Sequence, residues 1–436
     1  MASSLRRLDD LRTALGRLNA ERPADFTPDS GRTMRATRDG DFLNRLDLDI
    51  TSRQHKARVL VTGQIGVGKS SELLHYIRLA RKDTPGRLWI YCDLEKEEHP
   101  EHCGPTGVLL TIFRDCWGIT QSLQPHDAEF QKLRDETRTR LVEWLNGRYS
   151  DDRTRVTFQF GGMDFPVGLA GVDPNRTLAL ILGKAAQHEA VSKPSERFGI
   201  APDSLVNLLN RLLEWMARRS GGMPVLFVDH VDKIRNSLAA EEVLVTATPS
   251  WERLAASLVM TAPFEYTLGE LRNSIESRWG RPQVLYPVEL PPSPTEGRIP
   301  EIYRSIVRDA RLNSTLPEPS LRFLAYYSGG ILRQFVQFLK EACKEAHLAR
   351  HDVVELTDAK AVVHTAEQAY LSYSTQDLEL LDEICRVGTG LGEAATLLRS
   401  PIGLLVVPGD GRIQLRAHPL AEASLQRFQA RRKVPA

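Results

Sequence analysis

The sequence predicts an α/β chain: a five-stranded parallel sheet with helices on both faces, then an all-helical segment, then a helix-and-hairpin module. Three observations carry that prediction. Five short apolar runs are spaced by helical stretches between residues 58 and 288. Beyond the proline cluster Pro291-Pro292-Ser293-Pro294 the pattern turns almost wholly helical to about Val387. A turn, Pro408-Gly409-Asp410-Gly411, then separates two short apolar segments near the C-terminus. Buried parallel strands read as continuous apolar runs rather than as alternation, because both of their faces are covered.

In chain order, Leu5, Leu8, Leu11, Leu15 and Leu18 recur at helical spacing and open the chain with an amphipathic helix. Pro23, Pro28, Gly31 and Gly40 among polar residues then read as a linker, so residues 1–40 form a helix and tether. Asp41 to Ile50 leads into the first strand, Arg58 to Thr62. A helix from Lys69 to Arg81 follows, then a strand from Leu88 to Cys92 and helices over Val108–Cys116 and Glu129–Leu145. Val156, Phe158, Phe160, Phe165 and Val167 around Gly161-Gly162 predict a β-hairpin inserted at about 150–170. Helices near Leu178–Ala190 and Pro202–Arg218 come next. The last three strands are Pro224–Asp229, Leu258–Ala262 and Gln283–Val288. The core therefore spans 41–292, a helical lid 293–355, and a module of winged-helix pattern 356–436, with its hairpin at Leu404–Val407 and Arg412–Leu415.

Composition narrows the function classes. The chain has 436 residues, a 42% hydrophobic and a 26% charged fraction, and a formal net charge of +1. That balance gives no chain-wide field toward nucleic acid or membrane. Five cysteines without a CxxC pair argue for a reducing compartment, hence the cytoplasm. No run approaches the roughly 20 apolar residues needed to span a bilayer. Cys92, His99, His102 and Cys103 cluster in sequence, but at a spacing that fits no closed zinc template.

The chemistry is carried by Gly63-Gln64-Ile65-Gly66-Val67-Gly68-Lys69-Ser70, followed by Ser71. This is Gly-x₄-Gly-Lys-Ser between a strand and a helix, the phosphate-binding loop of a nucleoside triphosphatase. Its glycines let several N–H groups converge on one point, and the helix N-terminus adds its positive dipole end. Lys69 is placed for the β- and γ-phosphates and Ser70 for Mg²⁺. A second acid belongs at the tip of a neighbouring strand, and Asp229 ends the most apolar run in the chain. It is the candidate for holding the metal through water. The next position would carry a water-activating glutamate in many ATPases, but here it is His230. The candidate bases are therefore His230, Asp232 and Glu95. ATP with Mg²⁺ is the expected ligand pair.

With these motifs the chain resembles the AAA+ and STAND class of P-loop ATPases, of the ASCE type. Leu226-Phe227-Val228-Asp229-His230-Val231-Asp232-Lys233 is similar to the Walker B segment of STAND-like and KAP-like bacterial ATPases. The resemblance makes Thr261, after the fourth strand's apolar run, the sensor 1 position. It makes Arg278, with Arg281 second, the arginine finger, and Ser328-Gly329-Gly330-Ile331-Leu332-Arg333 the sensor 2 element with Arg333 facing the γ-phosphate. Asp41–Asp47, with Phe42 and Leu46, would line the base. The implied function is an ATP-binding, slowly hydrolysing molecular switch that controls a protein effector or a homo-oligomer, in bacterial signalling or anti-phage defence. The alternative is a DNA-acting ATPase of the replication-initiator or transposition-regulator type. It would touch nucleic acid through the C-terminal module and the basic run Arg427, Arg431, Arg432 and Lys433.

Overall fold

The computed structural model describes residues 11, 13, 14, 18, 41–51, 56–96, 103–123, 128–149, 159–160, 163–164, 203–269, 271–370, 373–387, 403–406 and 414–432. The core sheet has five parallel strands in the order β2-β5-β6-β1-β7. These are β1 (Arg58–Thr62), β2 (Trp89–Asp93), β5 (Val225–Asp229), β6 (Ser257–Ala262) and β7 (Gln283–Val284). A separate two-residue ladder, β3 (Gln159–Phe160) with β4 (Met163–Asp164), falls at the expected hairpin. The expected helix near 178–190 lies outside the described residues, as do His99 and His102.

Every residue of β5 and β6 is buried, which is what a central strand covered on both faces requires. The register sets Asp93 beside Asp229, so the carboxyl ends of β2 and β5 finish level. Insertion of β6 between β5 and β1 is the strand order of the ASCE-type P-loop fold. Ligands of such sheets bind in the crevice beyond the strands' carboxyl ends.

Helices α1 (Asp41–Thr51), α2 (Lys69–Asp83), α3 (Pro105–Leu123), α4 (Ala128–Tyr149) and α5 (Asp203–Ser220) flank the early part of the sheet. In α5 the buried set Leu205, Leu208, Leu209, Leu212, Leu213 and Met216 follows the helical period. Each such fully buried leucine contributes about 2 kcal/mol. Cys92 and Cys103 lie in the same main core. The segment expected to line a base, Asp41–Asp47, lies in α1. Its Phe42, Leu46 and Ile50 are buried against Val67, Tyr76 and Ile77, and Asp47 accepts a hydrogen bond from the Tyr76 hydroxyl at 2.8 Å.

Four short helices, α6 (Ser237–Glu241), α7 (Thr248–Arg253), α8 (Phe264–Leu268) and α9 (Arg272–Trp279), complete the core. The lid comprises α10 (Glu301–Asp309), α11 (Glu318–Tyr327) and α12 (Leu332–Leu348). The C-terminal module has α13 (Leu356–Tyr370), α14 (Thr375–Val387), the antiparallel pair β8 (Gly403–Val406) and β9 (Gln414–Ala417), and α15 (Pro419–Arg432). Helices around a hairpin are the winged-helix-like arrangement. Lid and module share one hydrophobic core: Phe335 and Leu339 of α12 cluster with Leu381, Leu415 and Leu420. Leu11, Ala14 and Leu18 of the N-terminal helix are buried in it too. No helix among the described residues is long and apolar enough to cross a membrane.

Strand β7 is shorter than the apolar run suggested. After Leu285 the chain turns toward the lid: the Val288 N–H donates to the Gly330 carbonyl at 3.0 Å, and Tyr286 and Val288 pack on the lid core.

Candidate functional site

The loop 63–68 joins β1 to α2, and Gly68 enters the helix with φ 103°. Lys69 is buried and its ammonium is satisfied three ways. It donates to the carbonyls of Gly63 at 2.7 Å and Gln64 at 3.1 Å, and it pairs with the Asp232 carboxylate at 2.8 Å. Three donors are all an ammonium has. A phosphate engaging Lys69 must therefore replace partners the chain already supplies.

Asp232 lies in a 3₁₀ turn, Val231–Lys233, past β5. Burial alone would push its carboxyl up. Lys69, then His230 and Lys233, outweigh that and hold it below the ordinary carboxylate range. Thr261 links β6 to this turn: its hydroxyl accepts from the Val231 N–H at 3.1 Å and donates to Asp232 at 3.4 Å. The candidate sensor 1 residue is thus connected to Lys69 through Asp232.

Asp229 is fully buried. One carboxylate oxygen accepts from the Tyr91 hydroxyl at 2.6 Å and the other from the His230 N–H at 2.7 Å. Ser70 faces this group, its hydroxyl 3.4 Å from His230 Nε2. Hydroxyl and carboxylate oxygens are the hard donors that Mg²⁺ takes, so Ser70 and Asp229 fit that ion. These two residues would hold the metal, which when bound would offset phosphate charge.

His230 adopts φ 68° and ψ 11°, a left-handed conformation uncommon outside glycine. Non-glycine residues held there mark over-determined sites. The turn points the ring back toward β2, where Nδ1 lies 2.6 Å from Asp93 Oδ1. Nε2 lies 3.2 Å from Glu95 Oε2. Burial would lower the imidazole's pKa, but the Asp93 hydrogen bond and the charges of Asp229, Asp93 and Asp232 together raise it. Lys233 pairs with the other Glu95 oxygen.

Asp93, Glu95 and His230 bring three ligand-type atoms within 4.8 Å of one another. They are already joined by hydrogen bonds and by the Lys233 ammonium, an arrangement that needs no metal.

Arg333, the second residue of α12, lies against the loop. Its N–H donates to the Gly66 carbonyl at 3.1 Å. A Cβ on Gly66 would come 3.0 Å from Arg333 Cβ and 2.9 Å from Ile331 Cγ2, so only glycine lets lid and loop approach this closely. The half-buried Arg333 guanidinium has no side-chain partner among the described residues. Arg278 lies exposed in the last turn of α9 and Arg281 exposed just beyond. No hydrogen bond or ion pair among the described residues ties either to the loop.

A further contact closes the site. The Gln64 side-chain amide donates to the Gly403 carbonyl of β8 at 2.7 Å, and both residues are buried. Ile65 is exposed, and Val67 packs into the core.

The structure thus gathers the 63–71 segment, Asp229, His230, Asp232, Thr261 and Arg333 at the carboxyl end of the sheet, and leaves Arg278 outside that group. Sequence reasoning missed Tyr91 and Asp93. Both belong to the run ending β2, the strand paired with β5, and that pairing was the available signal.

No family model matches the chain, and no curated protein matches it. Solved structures similar to it include the Aeropyrum pernix Orc1 protein in complex with DNA, at 15% identity and TM-score 0.40 over 90% of this chain and 93% of that one. A Walker-type ATPase of Pyrococcus abyssi is similar at 13% identity and TM-score 0.44, over 92% of this chain and 99% of that one. Cdc6p from Pyrobaculum aerophilum is similar at 13% identity and TM-score 0.42, over 95% and 98%. These likenesses are distant.

Proposed function

We propose that this protein is an ATP-binding molecular switch with slow ATPase activity, built on an AAA+-like core. One observation carries the reading: the phosphate loop is the meeting point of all three parts of the chain. Gly66 accepts from Arg333 of the lid, Gln64 donates to Gly403 of the C-terminal hairpin, and Lys69 pairs with Asp232 of the core. A triphosphate arriving there displaces the Lys69 partners and meets Arg333, whose planar guanidinium suits phosphate oxygens. The ligand thereby biases the arrangement of lid and hairpin, as a differential interaction between two states must.

Lys69, Arg333 and the loop N–H groups bind the phosphates, and Ser70 and Asp229 hold Mg²⁺. The replacement of a glutamate by His230 next to Asp229 supports slow turnover. The output is control of a protein effector or of a homo-oligomer, with the exposed Arg278 reaching a neighbouring copy; bacterial signalling or anti-phage defence is the setting the family resemblance suggests.

The test is ATP binding, steady-state hydrolysis and particle size with and without Mg-ATP, for wild type beside Lys69→Ala. The reading requires binding, turnover and an ATP-dependent change of size or shape, all lost in the variant. Wild type that binds no ATP contradicts it. A second reading, action on DNA, is favoured by the winged-helix-like module and the exposed Arg427 of α15. A DNA-binding isotherm that weakens steeply with salt distinguishes it.

A further inference from the structure

Next to Asp229, where a glutamate would activate water, the chain has an imidazole with both nitrogens engaged. The other acids at the carboxyl end of the sheet are occupied as well. Asp229 is fully buried, with Tyr91 on one oxygen and its own neighbour's N–H on the other. Asp232 is spent on Lys69 and Thr261. Glu95 differs. It sits in a 3₁₀ turn, Leu94–Lys96, at the carboxyl end of β2, and its side chain is 45% exposed, so water reaches it.

Its position is nevertheless fixed. Asp93 Oδ1 accepts from the Glu95 backbone N–H at 2.9 Å and lies 2.6 Å from His230 Nδ1. One oxygen therefore anchors both the turn that carries Glu95 and the ring that faces it. His230 Nε2 then meets Glu95 Oε2 at 3.2 Å and Ser70 Oγ at 3.4 Å, which places the carboxylate one imidazole away from the metal-side hydroxyl. Lys233 takes Oε1 and so fixes the carboxylate's rotation.

We propose that Glu95 is the carboxylate that polarises the hydrolytic water, delivered from β2 instead of from the residue after Asp229, and that Asp93 and His230 are its positioning residues. The inference rests on the ATPase reading above. In the step, a water oxygen bonds to the γ-phosphorus of ATP while the bond from that phosphorus to the β–γ bridging oxygen breaks. ADP leaves with the bond's electron pair. The water proton passes to the Glu95 carboxylate, which returns it to solvent or to the phosphate released.

The experiment measures Mg-ATP binding and kcat for wild type, Lys69→Ala, Glu95→Gln, Asp93→Ala and Asp93→Asn. Glu95→Gln is expected to lower kcat about 10²-fold, the low end of a general base's usual contribution, with ATP affinity within about threefold of wild type by the same measure. Asp93→Ala is expected to lower kcat with KM little changed. Asp93→Asn, which keeps an acceptor oxygen for the Glu95 N–H, recovers much of that loss. Glu95→Gln that turns over within threefold of wild type overturns the proposal. Glu95→Gln that loses ATP binding along with turnover overturns it too, because the residue is then structural. Wild type that fails to bind ATP, or whose turnover survives in Lys69→Ala, defeats the ATPase reading itself.

Discussion

The side-chain amide of Gln64 and the backbone carbonyl of Gly403 are joined at 2.7 Å across 339 residues of sequence. One is in the phosphate loop and the other in the C-terminal hairpin, so the loop that would receive a triphosphate also holds the far end of the chain. A hydrogen bond buried on both sides is costly to leave half-made, by about 1–3 kcal/mol.

Gln64→Ala removes that donor from the Gly403 carbonyl. The expected result is faster proteolysis within the C-terminal module and an unfolding free energy lower by about 1–2 kcal/mol. Limited proteolysis beside a denaturant melt checks it. An unchanged cleavage pattern would mean that the hairpin is held elsewhere.

Asp232→Asn should act in opposite directions on stability and on binding. It leaves the buried Lys69 without its ionised partner, and losing one member of a buried pair costs up to about 3–5 kcal/mol. The two loop carbonyls that remain on Lys69 moderate that cost. Because the ammonium no longer has to leave a carboxylate, ATP binding should tighten by about tenfold, equivalent to roughly 1.4 kcal/mol. Thermal melts and ATP titrations of the same sample read both. Weaker ATP binding would mean that Asp232 orients Lys69 instead of competing for it.

Gly330→Ala addresses the hinge between core and lid. Gly330 has φ +78°, and an added Cβ would lie 2.2 Å from the Val288 carbonyl oxygen and 3.0 Å from Pro287 Cβ. Backbone must move, and a loss of at least about 2 kcal/mol is expected. The same displacement shifts Arg333, so ATP affinity should fall as well. Preserved stability together with preserved affinity would show that this loop yields freely.

His418 supplies the pH dependence. It is fully buried, its Nδ1 accepts from the Leu420 N–H at 3.2 Å, and burial, opposed by the nearby Ser328 backbone, brings its pKa down to about 3. In the unfolded chain the imidazole titrates near 6.5. Between those values the unfolded state binds the extra proton and the folded state does not, so stability falls as pH drops below about 6.5. At pH 5 the loss from this group is about 2 kcal/mol relative to pH 7. His418→Asn keeps an acceptor and removes the titration, so urea melts at the two pH values should differ by about that much less than in wild type. An equal pH dependence in both proteins would place the acid sensitivity elsewhere.

Much of this is legible in the sequence. Gly63 to Ser70 announces its loop because the spacing is itself the mechanism, and β5 is legible because every one of its residues is apolar up to Asp229. The Asp93–His230 contact was not. It depends on a parallel register that aligns Asp93 with Asp229 and on a left-handed backbone at a histidine, and neither leaves a local trace in sequence. The contact from Gln64 to Gly403 is hidden for a similar reason: a glutamine amide and a glycine carbonyl carry no pattern that pairs them. β7 was overestimated because Tyr286 and Val288 look like strand residues while serving the lid core. The packing of Phe42 and Leu46 against Val67, Tyr76 and Ile77 is hidden as well, because an isolated apolar pair does not reveal the surface that buries it.

The most direct measurement is amide hydrogen exchange over residues 403–406 and 414–417, with and without Mg-ATP, in wild type and in Lys69→Ala. If occupancy of the phosphate loop governs the hairpin, ATP changes protection of both strands in wild type and leaves the variant unchanged. Saturating, independently verified ATP binding with no change in that exchange would contradict the account.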